Sequence, residues 1–347
     1  MKNDTAVPAD ILAEYHLRPD RIEMLHGGNI NASYTVTGTD SGEYILQRVH
    51  PMFAAAIHAD IDAVTKHLAA GGMLTPRLIP NRHGSLYMKH DGVIWRLLTR
   101  IPGITLEQVT DTRTAAEAGA LLARFHRALL DLEHEFSNQR VGVHDTGKHL
   151  RNLETALEAQ REHARYEDIA PLAEEILACA SGLPELPPVT PRKVHGDPKI
   201  TNILFEPSTG KALCLIDFDT LGNMPLPLEL GDALRSWCNP RGEDTAETEF
   251  SLDLFRAALE GYAGEARDFI LEQEWRAFLP AVYRICIELA ARFCADALNE
   301  NYFTWDPRRF GSCSEHNEIR ARGQLRAAQS LQSQYQQAEK IPGRIFR

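Results

Sequence analysis

His195-Gly196-Asp197-Pro198-Lys199-Ile200-Thr201-Asn202, followed fifteen residues later by Ile216-Asp217-Phe218-Asp219, is the stretch on which the reading of this chain turns. Between the two lie the apolar runs Ile203-Leu204-Phe205 and Ala212-Leu213-Cys214-Leu215, separated by Pro207-Ser208-Thr209-Gly210. Two short apolar runs around a Pro/Gly turn predict a β-hairpin. The hairpin carries a loop with Asp197 at its apex and Asn202 where the chain enters the first strand. Asp217 leaves the second strand opposite Asn202, so an amide oxygen and a carboxylate are expected to face one cation.

Outward from this hairpin the chain changes character once. Residues 9–16 read as a short amphipathic helix, and Ile22 to Gly38 as strand, glycine turn and strand. Thr39-Asp40-Ser41-Gly42 is a turn signal, and Glu43 to Val49 alternates as a third strand. Ile57 to Leu68 is helical and stops at Gly71-Gly72, and further strands surround His83-Gly84 and Asp91-Gly92. Beyond Pro102-Gly103 helical periodicity dominates, beginning with Ala116, Leu121, Leu122, Phe125, Leu129 and Leu132. The expected fold class is α+β, with a β-rich N-terminal lobe over 1–101 and a large helical lobe over 102–347 that embeds the hairpin.

Composition narrows the function classes. The 347 residues are 44% hydrophobic with a formal net charge of -11, which argues against non-specific nucleic-acid binding. The six cysteines form no CxxC pair and no zinc-like set with histidine, so reduced thiols in a cytoplasmic protein are expected. The first ten residues are polar, no apolar run approaches the roughly 18 residues of a membrane span, and no membrane partner is expected. Nothing in the pattern points to an oligomeric state.

Taken singly, Asp-Pro is a turn and Ile-Asp-Phe-Asp a strand end. In order, with a hairpin between them, they follow the H-R-D-x-x-x-x-N and D-F-G grammar of phosphoryl transfer, which needs a base beside the attacking hydroxyl and hard oxygen ligands for magnesium. The segments also resemble the aminoglycoside phosphotransferase and choline kinase-like superfamily, whose catalytic loop is similar to HGDPKITNIL and whose metal aspartate matches LCLIDFDTLG. Glu229-Leu230-Gly231-Asp232 is similar to the segment whose Gly-Asp pair braces that loop. The resemblance implies a bilobal protein-kinase-like fold, ATP and Mg²⁺ as cofactors, and a small-molecule acceptor. Asp197 is then the catalytic base, Asn202 and Asp217 the metal ligands, and His195 a structural loop histidine.

Dispersed segments resemble one branch, the N-acetylhexosamine 1-kinases: Gly28-Asn29-Ile30-Asn31-Ala32-Ser33-Tyr34, Tyr44-Ile45-Leu46-Gln47-Arg48, His144-Asp145-Thr146, Arg292-Phe293, Ala295-Asp296, Tyr302-Phe303, and His316-Asn317 with Arg320, Arg322 and Gln324. The branch implies an N-acetylated amino sugar phosphorylated at its anomeric position. His144, Asp145, Asp219, Arg292, Tyr302, His316 and Arg320 are the expected acceptor contacts, with Asp219 otherwise aiding a second metal or holding the loop. Read from the residues alone, Arg292, Asp296 and Asn299 line a polar pocket or form an internal salt bridge, and His144-Asp145 contacts the acceptor or caps a helix.

For the nucleotide, the expected contacts are Gly27, Gly28 and Asn29 in the glycine turn, Gln47 and Arg48 on the third strand, Asp62 on the following helix, and Thr99 and Ile101 within the hinge 98–102. Gln47 stands where such kinases carry a lysine, and Arg48 points to the opposite face by alternation. The rivals to the sugar reading are an aminoglycoside or choline-type kinase and a nucleotide-binding pseudokinase.

Overall fold

The computed structural model describes residues 7–25, 31–39, 42–137 and 142–347. They form two compact units. The first comprises Met1–Gly103 together with two later segments, Ala128–Gln139 and Ile216–Leu221.

In the first unit, helix α1 (Ala9–Glu14) precedes strands β1 (Pro19–Leu25), β2 (Ala32–Gly38) and β3 (Glu43–Val49), helix α2 (Ile57–Ala70), and strands β4 (Leu78–Ile79), β5 (Met88–His90) and β6 (Val93–Thr99). The strands make one antiparallel sheet of order β1-β2-β3-β6-β4, with β5 also on β6. Strand alternation sends Tyr34, Val36, Leu46, Trp95 and Leu97 into a core with Ile11 and Leu12 of α1 and Tyr15 just beyond it. On α2 the buried residues Ile57, Ile61, Val64 and Leu68 recur at helical spacing. The same helix captures the chain after residue 128: His67 Nε2 meets Ala128 O at 2.8 Å, and Asp60 accepts from His134 Nε2 at 2.8 Å and the N–H of Ser137 at 3.0 Å.

The second unit contains helices α3 (Thr112–Ala128), α4 (Thr146–Ala159) and α5 (Tyr166–Ala180). Strands β7 (Arg192–Val194), β8 (Ile203–Phe205), β9 (Ala212–Leu215) and β10 (Gly222–Met224) follow. The chain closes with helices α6 (Leu226–Trp237), α7 (Leu252–Ala266), α8 (Glu272–Arg276), α9 (Phe278–Asn299), α10 (Cys313–Ser333), α11 (Tyr335–Ala338) and α12 (Lys340–Phe346). α9 is apolar almost all round and sits at the centre, with α4, α5, α6 and α10 packed on it. The expected hairpin is β8-β9, with Ile203 opposite Leu215. Asn202 enters its open end, and the chain runs on from the same end to Asp217.

Candidate active site

The catalytic loop leaves β7, which is held by antiparallel pairing with β10. Gly196 has φ +84°, a left-handed conformation that favours glycine and turns Asp197 outward. Helix α6 then fixes the loop from one side. Glu229, fully buried, accepts the backbone N–H of His195 at 2.9 Å and of Gly196 at 3.0 Å. Ser236 Oγ accepts the N–H of Ile200 at 3.2 Å, and Trp237 Nε1 donates to Pro198 O at 3.0 Å. The bracing expected of the Gly231-Asp232 pair is therefore carried by Glu229, Ser236 and Trp237. Asp232 instead pairs with the buried Arg235 at 3.0 Å. His195 is buried against the edge of Phe125, and its Nδ1 accepts the N–H of Asp197 at 3.4 Å, a loop-building role.

Asp197 Oδ2 lies 2.8 Å from Lys199 Nζ and 3.2 Å from Asn202 Nδ2, and Asn202 Nδ2 also donates to Asp197 O at 2.8 Å. Burial alone would raise the Asp197 carboxyl, but the Lys199 ammonium, helped by His195 and Arg235, holds it below the usual carboxylate range. Asp197 is thus an ionised acceptor at neutral pH. Because the Asn202 amide nitrogen is spent on Asp197, its Oδ1 is the atom left to meet a cation. Among the described residues no group of three or more His, Cys, Asp or Glu is gathered. An amide oxygen is a hard donor, of the kind that suits Mg²⁺ and not zinc.

In the first unit, Gln47 Nε2 donates to Ser33 Oγ at 3.0 Å, and its Oε1 accepts from Arg96 Nε at 2.8 Å. Arg48 is exposed on the opposite face, as alternation predicts. Asp62 does not partner Gln47: it pairs with Lys66 at 2.6 Å and lies 3.9 Å from Arg77. The N–H of Thr99 is spent on Arg77 O, and its Oγ1 on the N–H of Arg77. Gly27, Gly28 and Asn29 lie outside the described residues. Asp217 takes the left-handed conformation (φ +66°, ψ +59°) ahead of a 3₁₀ turn, Phe218–Thr220. Asp219 is buried and bound by Arg96 and Asn31, so it is not presented to an acceptor; this corrects its expected place among the acceptor contacts. Arg96 was not singled out from sequence.

The remaining acceptor candidates separate. Asp145 caps α4, accepting the N–H of Lys148 at 2.8 Å. His316 and Arg320 both hold Asp244, at 2.9 and 2.7 Å, and Arg320 also donates to Thr304 O, so they tie the loops before α7 and α10 to α10 itself. Arg320 carries structural duty, its guanidinium spent on Asp244 and Thr304 O, while His316 lies against the same carboxylate with its Nε2 outside hydrogen-bond geometry. Arg292 lies over the rings of the exposed Tyr302 and of Phe303. His144 behaves otherwise. Its Nδ1 meets Glu288 at 2.9 Å while Nε2, buried, has no partner among the described residues. Burial opposes its charge, but Glu288, held also by Thr146, pushes the imidazole above its ordinary value. His144 lines a cavity of about 330 Å³ with Glu185, Leu186, Leu228 and Arg284, whose Nε is likewise without a partner among the described residues.

Residues 21–269 match the family model described as "Phosphotransferase enzyme family". The chain belongs to that family. Solved structures of this phosphotransferase fold span nearly the whole chain. The amicoumacin kinase hAmiN, in complex with AMP-PNP, Ca²⁺ and Ami, is 15% identical with TM-score 0.64, over 94% of this chain and 93% of its own. The microcompartment-associated aminopropanol kinase is 14% identical with TM-score 0.60, over 96% and 97%. An aminoglycoside phosphotransferase from Alicyclobacillus acidocaldarius is 17% identical with TM-score 0.56, over 98% and 95%. The phosphotransferase therefore has a protein-kinase-like α+β fold. None of its helices, among the described residues, is long and apolar enough to cross a membrane.

Proposed function

We propose that this kinase transfers the γ-phosphoryl group of ATP, with Mg²⁺, to the anomeric hydroxyl of an N-acetylated amino sugar. The observation that carries the acceptor class is the make-up of an open cavity in the second unit: one arginine, one glutamate, one histidine already paired to Glu288, and two leucines. A cationic acceptor such as an aminoglycoside or choline is best held by several unpaired carboxylates. A neutral polyol with an amide is best held by mixed donors and acceptors beside an apolar wall. The dispersed likeness to the N-acetylhexosamine 1-kinases supports the same class.

In this reading Asp197 accepts the hydrogen bond of the acceptor hydroxyl and orients its oxygen. Its lowered pKa makes it a weak base, which fits a loose transition state in which the proton leaves late. Asn202 Oδ1 and the Asp217 carboxylate would hold Mg²⁺, which supplies charge neutralisation at the phosphates when bound. Lys199 keeps Asp197 ionised. ATP is taken by the glycine turn at 27–29 and the hinge backbone at Ile101. All six cysteines are free thiols, five of them buried, which fits a cytoplasmic setting.

The test is turnover with a panel of hexosamines, aminoglycosides, amino alcohols and choline. N-acetylglucosamine or N-acetylgalactosamine should give an acid-labile, non-reducing sugar phosphate, and Arg284→Ala should raise KM for the sugar far more than for ATP. A product that keeps its reducing end refutes the anomeric position. Turnover of choline or aminoglycosides alone refutes the substrate class.

A further inference from the structure

The place of the usual strand lysine is taken by Gln47, yet the same face carries a cation. β3 and β6 pair with Gln47 opposite Arg96, so the two side chains project together, while Trp95 and Leu97 on either side of Arg96 enter the core. The Arg96 side chain is only 2% exposed and that of Asp219 only 1%. Arg96 Nε donates to Gln47 Oε1, and Nη1 donates to Asp219 Oδ1. The other Asp219 oxygen accepts from Asn31 Nδ2 at 2.6 Å, and Asn31 Oδ1 accepts the N–H of His50 at 2.9 Å. One chain of polar contacts, buried at Arg96, Asp219 and Asn31, thus runs from Ser33 through Gln47 and Arg96 to Asp219, then back through Asn31 to the end of β3. All its members belong to the first unit.

Asp219 stands two residues beyond Asp217, in the 3₁₀ turn that Asp217 introduces from a left-handed conformation. A non-glycine residue keeps that conformation only where its surroundings over-determine it. The buried ion pair supplies such a constraint: it pins the turn at Asp219 to the sheet and so limits the backbone positions open to Asp217. We propose that Arg96 and Asp219 form a lock that holds Asp217 ready for its metal, and that Gln47 serves this lock by orienting Arg96. With its guanidinium buried and engaged on both sides, Arg96 is a positioning residue and not a phosphate clamp. Asp219 positions as well, and does not touch the acceptor. The inference rests on Asp217 as a metal ligand.

Ion pairs buried this deeply leave a costly orphan charge when one partner is removed, but are often replaceable by two apolar residues. The informative variants are therefore Asp219→Asn, which keeps the shape of the side chain, and the double substitution Arg96→Met/Asp219→Leu. ATP binding is measured by calorimetry across a MgCl₂ titration and in EDTA, and needs no acceptor. The lock predicts a Mg²⁺ midpoint raised at least tenfold in the double variant and severalfold in Asp219→Asn, binding in EDTA changed less than threefold, and an unchanged acceptor KM. A folded double variant with the wild-type midpoint overturns the lock. So does an Asp219→Asn effect confined to acceptor KM. A Mg²⁺ response lost in Asp217→Ala but fully kept in the double variant removes the lock and leaves the metal reading standing. Wild-type binding indifferent to Mg²⁺ removes both.

Discussion

The carboxylate of Glu229 accepts the backbone N–H of His195 at 2.9 Å, and its second oxygen takes the N–H of the next residue. The catalytic loop is therefore hung from helix α6 by a side chain with no solvent contact. Glu229→Gln would keep the shape but turn one acceptor into an N–H₂ donor facing an N–H donor. A buried donor left without an acceptor costs about 1–3 kcal/mol, enough to displace the loop. Misplacing a reacting group by about 1 Å costs on the order of 100-fold in rate. The expected result is a kcat loss of roughly that size with KM for ATP within threefold, read by steady-state kinetics on a variant whose unfolding transition is first shown to be intact. A kcat near wild type would mean that Ser236 and Trp237 suffice.

Lys199 sets the acid limb of the rate. Burial tends to raise the Asp197 carboxyl and the Lys199 ammonium, at 2.8 Å, is the largest opposing influence. With the folded value held below the ordinary one, Asp197 is ionised from neutral pH down through the usual aspartate range, and kcat should stay flat on that side. Lys199→Met removes the main lowering influence, so the acid limb should move to higher pH. A kcat–pH profile of the two proteins decides it, and superimposable limbs would show that something other than Asp197 governs them.

How much of this was legible before the structure depends on the range of each contact. The hairpin β8-β9 announces itself locally, through two apolar runs and a Pro/Gly turn, and so does the loop that carries Asp197 and Asn202. The bracing by Glu229 does not, because its partner lies 34 positions away and side-chain-to-backbone bonds leave no spacing signature. His316 and Arg320 share a helical turn, which the spacing conveys. Their common partner Asp244, 76 positions from Arg320, decides that Arg320 is structural. Arg96 was within reach in part: alternation in β6 separates it from Trp95 and Leu97. The register that sets it opposite Gln47 is fixed by tertiary packing.

Helices α3 and α7 cross at two glycines. A Cβ built on Gly119 would lie 2.0 Å from Ala258 O, and one on Gly261 would lie 2.0 Å from Ala116 O. The obstacles are backbone atoms, so the helices themselves must separate. Gly119→Ala should destabilise the second unit by about 3 kcal/mol or more, at the upper end for overpacking, and lower its unfolding temperature. The effect should reach the site, because α3 carries Phe125, edge-on to His195, and His126, 3.6 Å from Glu229. Differential scanning calorimetry checks the first claim and kcat the second. Unchanged stability would mean that the helices can slide apart at little cost.

His58 on α2 links stability to pH. Its residue is 1% exposed, Nδ1 meets Ala55 O at 2.9 Å, and the Tyr87 ring lies 4.7 Å away. Nε2 has no partner among the described residues. Burial and then the charge of Arg96 lower its pKa from 6.5 to about 4, against the weaker pull of Ala55 O and Asp219. The folded value lies below the unfolded one, so between these limits the unfolded chain binds more protons and stability rises with pH. The contribution is fully present above pH 6.5 and is lost as pH falls toward 4. A shift of that size is worth on the order of 3 kcal/mol. His58→Phe keeps the ring packing against Tyr87 and cannot titrate. The stability of wild type relative to this variant should therefore fall by roughly that amount between pH 7 and pH 4.5, measured by denaturant unfolding with a probe in the first unit. Parallel pH curves for the two proteins would show that His58 is already accessible to protons in the folded state.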